Sequence, residues 1–261
     1  MSAELKGPRL AATVLLVRDR PGGLEVFMVE RHHQIDFATG ALVFPGGKVD
    51  ESDSDPRWRA RCGESLAGDD AARALRVAAI RETFEECGVL LARARGAAQL
   101  AAPPTLGSSD EDFLTLIERA DLLLACDRLV PFAHWITPAM VPKRFDTHFF
   151  IAIAPEDQLA LHDGSESVDS VWISPRGALR EAEAGRRTII YPTLMNLVRL
   201  AESVDVATAL ERARAKRIVT VQPSLARRAD GKPELSIPAD AGYPALPPEL
   251  ARFASVEGAP R

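Results

Sequence analysis

Three carboxylates, Glu82, Glu85 and Glu86, stand close together in the run Arg81-Glu82-Thr83-Phe84-Glu85-Glu86-Cys87-Gly88-Val89-Leu90. On a helix turning about 100° per residue they fall within an arc of about 100°, while Val77, Ile80, Phe84 and Cys87 collect on the opposite side. Like charges at this spacing repel, and a plain solvated face usually interleaves Lys or Arg among them. This face does not. A hard divalent cation, Mg²⁺ or Mn²⁺, would remove the repulsion, because such ions take carboxylate, carbonyl and water oxygens and commonly bridge a carboxylate to a substrate phosphate. Upstream, Phe44-Pro45-Gly46-Gly47-Lys48 supplies a turn whose glycines expose backbone oxygens and leave room for a phosphate chain. Arg81 adjoins the acids, and Gly88 is placed to stop the helix. Together these outweigh the competing reading of a merely acidic solvated face.

The elements that must position these groups can be read from periodicity and breakers. Residues 10 to 17 and 24 to 30 read as two strands around the break Asp19-Arg20-Pro21-Gly22-Gly23, and residues 41 to 44 as a third that delivers the chain to the glycine turn. The polar stretch 51 to 70 reads as a loop with one short helical turn at 56 to 62. Its few apolar residues, Trp58 and Leu66 among them, predict little contribution to the core. Asp69 or Asp70 caps the helix that follows. Beyond the breaker at 101 to 104, apolar spacing predicts a helix over 110 to 124. Strands follow at 132 to 137, 147 to 154 and 171 to 173, then helices at 175 to 183, 192 to 203 and 206 to 214. From Gln222 onward the chain is rich in Pro, Ala and Gly, with only Glu234 to Ile237 resembling a strand, and an extended or partly mobile tail is expected.

With 261 residues the chain has room for one large α/β domain or two small ones. A formal net charge of -5 and a pI near 5.6 argue against a partner in duplex nucleic acid, which would demand a basic face. Cys62, Cys87 and Cys126 show no spaced cluster, so neither a disulfide framework nor a zinc site is indicated, and a cytoplasmic location is expected. The early apolar run at 10 to 17 is too short to span a membrane.

The residues around the acids resemble the signature of the Nudix hydrolases: a glycine, five residues, a glutamate, seven residues, then an R-E-U-x-E-E-x-G-U run with U apolar. Gly47 and the run from Arg81 to Val89 fit it, but Arg81 lies 34 positions after Gly47 rather than the 14 of the contiguous signature. The resemblance therefore implies an insertion of about 20 residues within the box, as in the subfamily that includes the peroxisomal coenzyme A diphosphatases. Six positions after Gly47 stands Asp53, and Glu51, Asp53 and Glu64 all remain candidates for the upstream glutamate. The implied fold is an α/β/α sandwich with a mixed β-sheet over about residues 8 to 204. Residues 1–221 form the domain, with the insertion at about 51–70, and 222–261 form a Pro/Ala-rich tail.

The resemblance further implies a metal-dependent pyrophosphohydrolase acting on a nucleoside diphosphate joined to a group X, with coenzyme A or acyl-coenzyme A as one candidate. Glu82, Glu85 and Glu86, with the Gly46 carbonyl, would hold Mg²⁺ or Mn²⁺. Glu85, or Glu166 from a later loop, would take the proton from water, and Arg81 would hold the carboxylates in place. The spacing of Arg31, Gly40 and the Phe44-Pro45-Gly46-Gly47 turn resembles the extra motif of the coenzyme A-cleaving members, although Asp36 stands where they place a basic residue. That makes Arg31, Phe44 and Gly47 candidates for substrate binding. Arg144 and Phe145 join them, since guanidinium suits phosphate and an aromatic ring can stack on a base; the alternative is an Arg144–Asp146 pair. His134, His148 and His162 read as isolated. ADP-ribose, NADH or another dinucleotide is the rival substrate, a nucleotide-binding module without turnover the rival class, and a homodimer one open assembly.

Overall fold

The computed structural model describes residues 7–31, 40–63, 69–96, 103–104, 112–156, 158, 167–227, 231 and 233–255. The early elements are β1 (Arg9–Arg20), β2 (Gly23–Arg31), β3 (Leu42–Val43), β4 (Gly46–Lys48) and α1 (Asp70–Cys87). There follow β5 (Ala92–Ala94), α2 (Phe113–Arg119), β6 (Leu122–Leu124), β7 (Val130–Ile136), β8 (Phe145–Ile153) and β9 (Ser167–Ile173). The remainder comprises α3 (Pro175–Glu183), α4 (Tyr191–Leu200), α5 (Val206–Ala215), β10 (Thr220–Val221), β11 (Ser224–Arg227) and β12 (Pro233–Ser236). Among the described residues, no helix is long and apolar enough to cross a membrane.

An eight-stranded mixed sheet runs β10-β7-β8-β1-β2-β3, with β4 added to β1 and β9 to β2. β1 organises it. One edge pairs in parallel with β8 from Arg9↔Phe145 to Val17↔Ile153. The other edge is shared: β4 takes residues 11 to 13 and β2 takes residues 17 to 20, both antiparallel. The alternation of β1 decides which core each side chain joins. Ala12, Val14 and Leu16 enter the layer under α1 and α2, whereas Leu15 and Val17 enter the opposite layer under α3, α4 and α5. The result is the expected α/β/α sandwich.

Three expectations require correction. The helix foreseen over 110 to 124 is α2 alone, because Asp121 adopts a left-handed conformation with φ 47° and residues 122 to 124 then pair with β5. The insertion is structural. Trp58 is 1% exposed within the core, donates from Nε1 to the Ser52 carbonyl at 2.9 Å and packs its ring 5.6 Å from that of Phe113. Leu124 N–H also donates to the Arg61 carbonyl at 2.7 Å, so the segment is tied to β6 as well. Finally, the described residues after 222 are packed against the domain rather than forming a loose tail. β11 and β12 form a hairpin, Leu250 is buried, and the Tyr243 hydroxyl accepts from Trp135 Nε1 at 2.8 Å and donates to Asn196 Oδ1 at 2.7 Å.

Candidate functional site

α1 is delimited by local chemistry. Asp69 caps its first turn by accepting from Ala72 N–H at 2.8 Å, and Gly88 ends it with φ 68° while its N–H donates to the Phe84 carbonyl. Its apolar stripe, Val77, Ile80, Phe84 and Cys87, is buried against the sheet. That orientation turns Glu82 and Glu86 toward β4.

The fit between α1 and the glycine turn is close. Gly46 N–H donates to Glu86 Oε2 at 2.9 Å. A Cβ on Gly47 would lie 2.4 Å from Oε2 of Glu82, so that carboxylate occupies the space a side chain would take. At Gly46, φ is 149° and a Cβ would meet the Ala12 carbonyl oxygen at 2.3 Å. Gly46 thus has no room for any other residue, whereas a side chain at Gly47 would displace the Glu82 carboxylate.

Arg81 is the hub of the site. Its Nη1 donates to Glu82 Oε1 at 3.0 Å and to Glu85 Oε2 at 2.8 Å. Nη2 donates to the Lys48 carbonyl at 3.0 Å and to Asp53 Oδ2 at 2.9 Å, while Nε donates to Asp53 Oδ1 at 2.9 Å. Asp53, 1% exposed, also accepts from Asp50 N–H. Of the three candidates for the upstream acid, Asp53 thus makes the paired contact with Arg81. Glu51 is exposed, and Glu64 lies outside the described residues. Burial disfavours a charged Arg81, but the Asp53, Glu82 and Glu85 carboxylates outweigh it and hold the guanidinium above its ordinary value. Burial pushes the Glu85 carboxyl up, with Arg81 opposing the shift.

The donor set here is oxygen only, carboxylates beside a glycine turn, and suits a hard dication in kind. Glu82, Glu85 and Glu86 are the carboxylates concerned. They do not form a preassembled shell, however. Among the described residues, the group whose donor atoms all lie within 4.8 Å of one another is His134, Asp146 and His148.

The other sequence candidates scatter. Phe44, a candidate for substrate contact, is 3% exposed and packs within the core under α3 to α5. Arg144 donates from Nε to the Thr137 carbonyl at 3.1 Å, and Phe145 N–H donates to Thr137 Oγ1 at 3.0 Å, which anchors the start of β8. The foreseen partner of Arg144, Asp146, instead faces His134 Nε2 at 2.5 Å. Arg31 ends β2, but its side chain lies outside the described residues, as do Asp36, His162 and Glu166. His134 and His148, read from sequence as isolated, stack with ring centroids 4.0 Å apart. The available signal was two strands joined by a turn, in which residues equally far from the turn face each other. Burial, and the neighbouring His134 after it, push the His148 ring down to about 4, so it is neutral near pH 7.

Residues 59–200 match the family model for the NUDT19 Nudix domain. The chain is 29% identical over 201 residues to a putative nudix hydrolase 7 of Caenorhabditis elegans, covering 76% of this chain and 63% of that protein. It is 26% identical over 266 residues to the acyl-coenzyme A diphosphatase NUDT19 of Gallus gallus, covering 77% and 70%. The chain thus spans less than two thirds of the C. elegans relative. Among solved structures, a NUDIX hydrolase from Alicyclobacillus acidocaldarius superposes with a TM-score of 0.71 at 27% identity, covering 80% of this chain and 97% of that one.

Proposed function

Because the chain belongs to the NUDT19 Nudix-domain family, we propose that it is a Nudix-type diphosphatase. On this reading it depends on Mg²⁺ or Mn²⁺ and cleaves the diphosphate of a nucleoside diphosphate joined to a second group, coenzyme A or acyl-coenzyme A being the favoured class. The observation that carries the proposal is the seating of Glu82 over Gly47, where a Cβ would lie 2.4 Å from the carboxylate. It puts acid and glycine turn on one surface, where a phosphate chain can approach backbone and carboxylates together. The substrate class is supported by the likeness to the acyl-coenzyme A diphosphatase of G. gallus.

A bound dication would neutralise the diphosphate and lower the pKa of an attacking water. Glu82, Glu85 and Glu86, with the Gly46 carbonyl, are the groups we assign to hold it. Arg81 fixes the carboxylates through the hydrogen bonds to Glu82 and Glu85 and is a positioning residue. Glu85, its carboxyl pushed up by burial, is assigned to accept the proton of water, with Glu166 the second candidate. Arg31 and Arg144 are assigned to the substrate's phosphates, and Phe145 to stacking.

A panel of coenzyme A, dephospho-coenzyme A, ADP-ribose and NADH, each with Mg²⁺ and with Mn²⁺, tests this by mass spectrometry of the products. Cleavage of the coenzyme A diphosphate into a phosphopantetheine and an adenosine that carries both the 3′-phosphate and a 5′-phosphate, in preference to cleavage of dephospho-coenzyme A, is expected. Equal cleavage of both thiols, or cleavage of only the dinucleotides, would remove coenzyme A and leave the diphosphatase. Binding without turnover of any of them would favour a nucleotide-binding module.

A further inference from the structure

We propose that His134, Asp146 and His148 form a site for a borderline transition-metal dication of the Zn²⁺ or Co²⁺ class, separate from the carboxylates of α1. Nothing in the proposed diphosphatase chemistry uses these residues.

The sheet register builds the site. His134 on β7 pairs directly with His148 on β8, and Asp146 stands two residues from His148, on the same face of that strand. Thr220 on β10 pairs with His134 on the other side. Its Oγ1 lies 2.8 Å from His134 Nδ1, which leaves Nε2 as the atom turned to Asp146 Oδ1 at 2.5 Å. His148 Nε2 lies 3.7 Å from the same oxygen. The two rings are stacked within 20° of parallel, with both Nε2 atoms beside Asp146 Oδ1, and a tilt of one ring would bring their lone pairs onto a shared ion.

A proton does not account for this arrangement as well as a metal does. One proton shared by His134 and Asp146 satisfies that contact, but at 3.7 Å the His148 nitrogen stays beyond hydrogen-bond length. A dication would take a lone pair from each ring and a carboxylate oxygen from Asp146 at the same time. All the donor atoms already lie within 4.8 Å of one another, against about 3.3 to 3.5 Å between ligand atoms around a tetrahedral zinc with bonds near 2.1 Å. Small side-chain rotations close that gap. Two imidazoles and one carboxylate favour a borderline ion over Mg²⁺, and three protein ligands leave a fourth position open. Thr220 acts on the far nitrogen of His134, as an outer partner does in orienting a metal-bound imidazole.

The place of the site in the sheet adds to its interest. Thr220, His134, His148, Ala12 and Gly47 are successive register partners across β10, β7, β8, β1 and β4. At about 4.8 Å per strand, His148 is on the order of 10 Å from Gly47 on the same face. Arg76 of α1, whose charge acts on the His148 ring, lies over the Phe150 ring and tempers the affinity.

The test is titration of metal-free full-length protein with Co²⁺ in excess Mg²⁺, followed by visible absorption and calorimetry. Uptake of one equivalent with the strong visible bands of low-coordinate Co²⁺ is expected. His134→Gln and His148→Gln should each weaken it about tenfold to a hundredfold, and Thr220→Val about tenfold. Glu86→Gln should leave it unchanged. Asp146→Asn keeps the side-chain shape, so a loss there with an unaltered circular dichroism spectrum reports the ligand rather than the fold. No saturable uptake by wild type, uptake indifferent to both histidine variants, or uptake abolished by Glu86→Gln would each overturn the site.

Discussion

Arg81 grips Asp53, 28 residues earlier, through two parallel hydrogen bonds, Nε to Oδ1 and Nη2 to Oδ2, each 2.9 Å long. Both side chains are buried. This fork geometry is the strong form of an arginine–carboxylate contact, and it closes the box across an insertion that separates its halves in sequence. Replacing Asp53 by Asn leaves a buried guanidinium short of charge, so a loss of about 3–5 kcal/mol of stability is expected. Glu51→Gln, on the exposed neighbour, should stay within about 0.5 kcal/mol. Denaturant midpoints of the two variants decide it; equal midpoints would remove Asp53 from this role.

Glu86→Gln should lower turnover by about two orders of magnitude or more, since a ligand charge is lost where the transition state needs it. The amide oxygen can still accept from Gly46 N–H, so the melting temperature should hold. Chelation of divalent ions should abolish turnover in wild type, and Mg²⁺ or Mn²⁺ should restore it. Wild-type rates in the variant, or in chelator, would defeat the assignment.

The two glycines of the turn should fail differently on mutation to Ala. At Gly46 the new Cβ meets backbone, the Ala12 carbonyl at 2.3 Å and Thr13 Cα at 2.6 Å, and φ 149° is unsuited to an L side chain. Strand β4 must shift, so stability falls. At Gly47 it meets the Glu82 carboxylate, the far end of a side chain that can swing away, so turnover should fall more than stability. Thermal melts beside initial rates separate these outcomes; the reverse pattern would show the turn is misread.

Trp58→Ala should cost about 3–5 kcal/mol, the usual range for emptying a large aromatic site in a core. The ring sits 5.6 Å from Phe113, whose ring is 6.0 Å from Phe84 of α1, so the loss should reach the box helix. Slower turnover should accompany the lower denaturant midpoint. A midpoint unchanged from wild type would return the insertion to the status of a loop.

Tyr243→Phe removes the hydroxyl that joins Trp135 to Asn196. Two buried polar groups then lose a partner, and a cost of about 1–3 kcal/mol is expected. In a domain of this size that corresponds to a fall of roughly 2–4 °C in Tm per kcal/mol. No change in Tm would show that the C-terminal residues pack without supporting the sheet.

What the sequence by itself determined is the part of the protein whose logic is local. The acids of α1, its Asp69 cap and its Gly88 stop lie within one helix, and their spacing repeats with the backbone, so they can be read without knowing what they face. The alternation of β1 follows the same rule, Ala12, Val14 and Leu16 to one core, Leu15 and Val17 to the other. Only the tertiary structure decided the contacts that close over long separations. Asp53 was one of three possible acids until its pairing with Arg81 chose it. Trp58 looked like a lone apolar residue in a polar loop because Phe113, its partner, is 55 positions away. His134 and His148 looked isolated because only the β7–β8 register sets them face to face. The C-terminal residues read as a tail because Tyr243 finds Trp135 only across 108 positions. Periodicity records which way a side chain points; which distant group it meets depends on strand pairing and core packing, which no local pattern encodes.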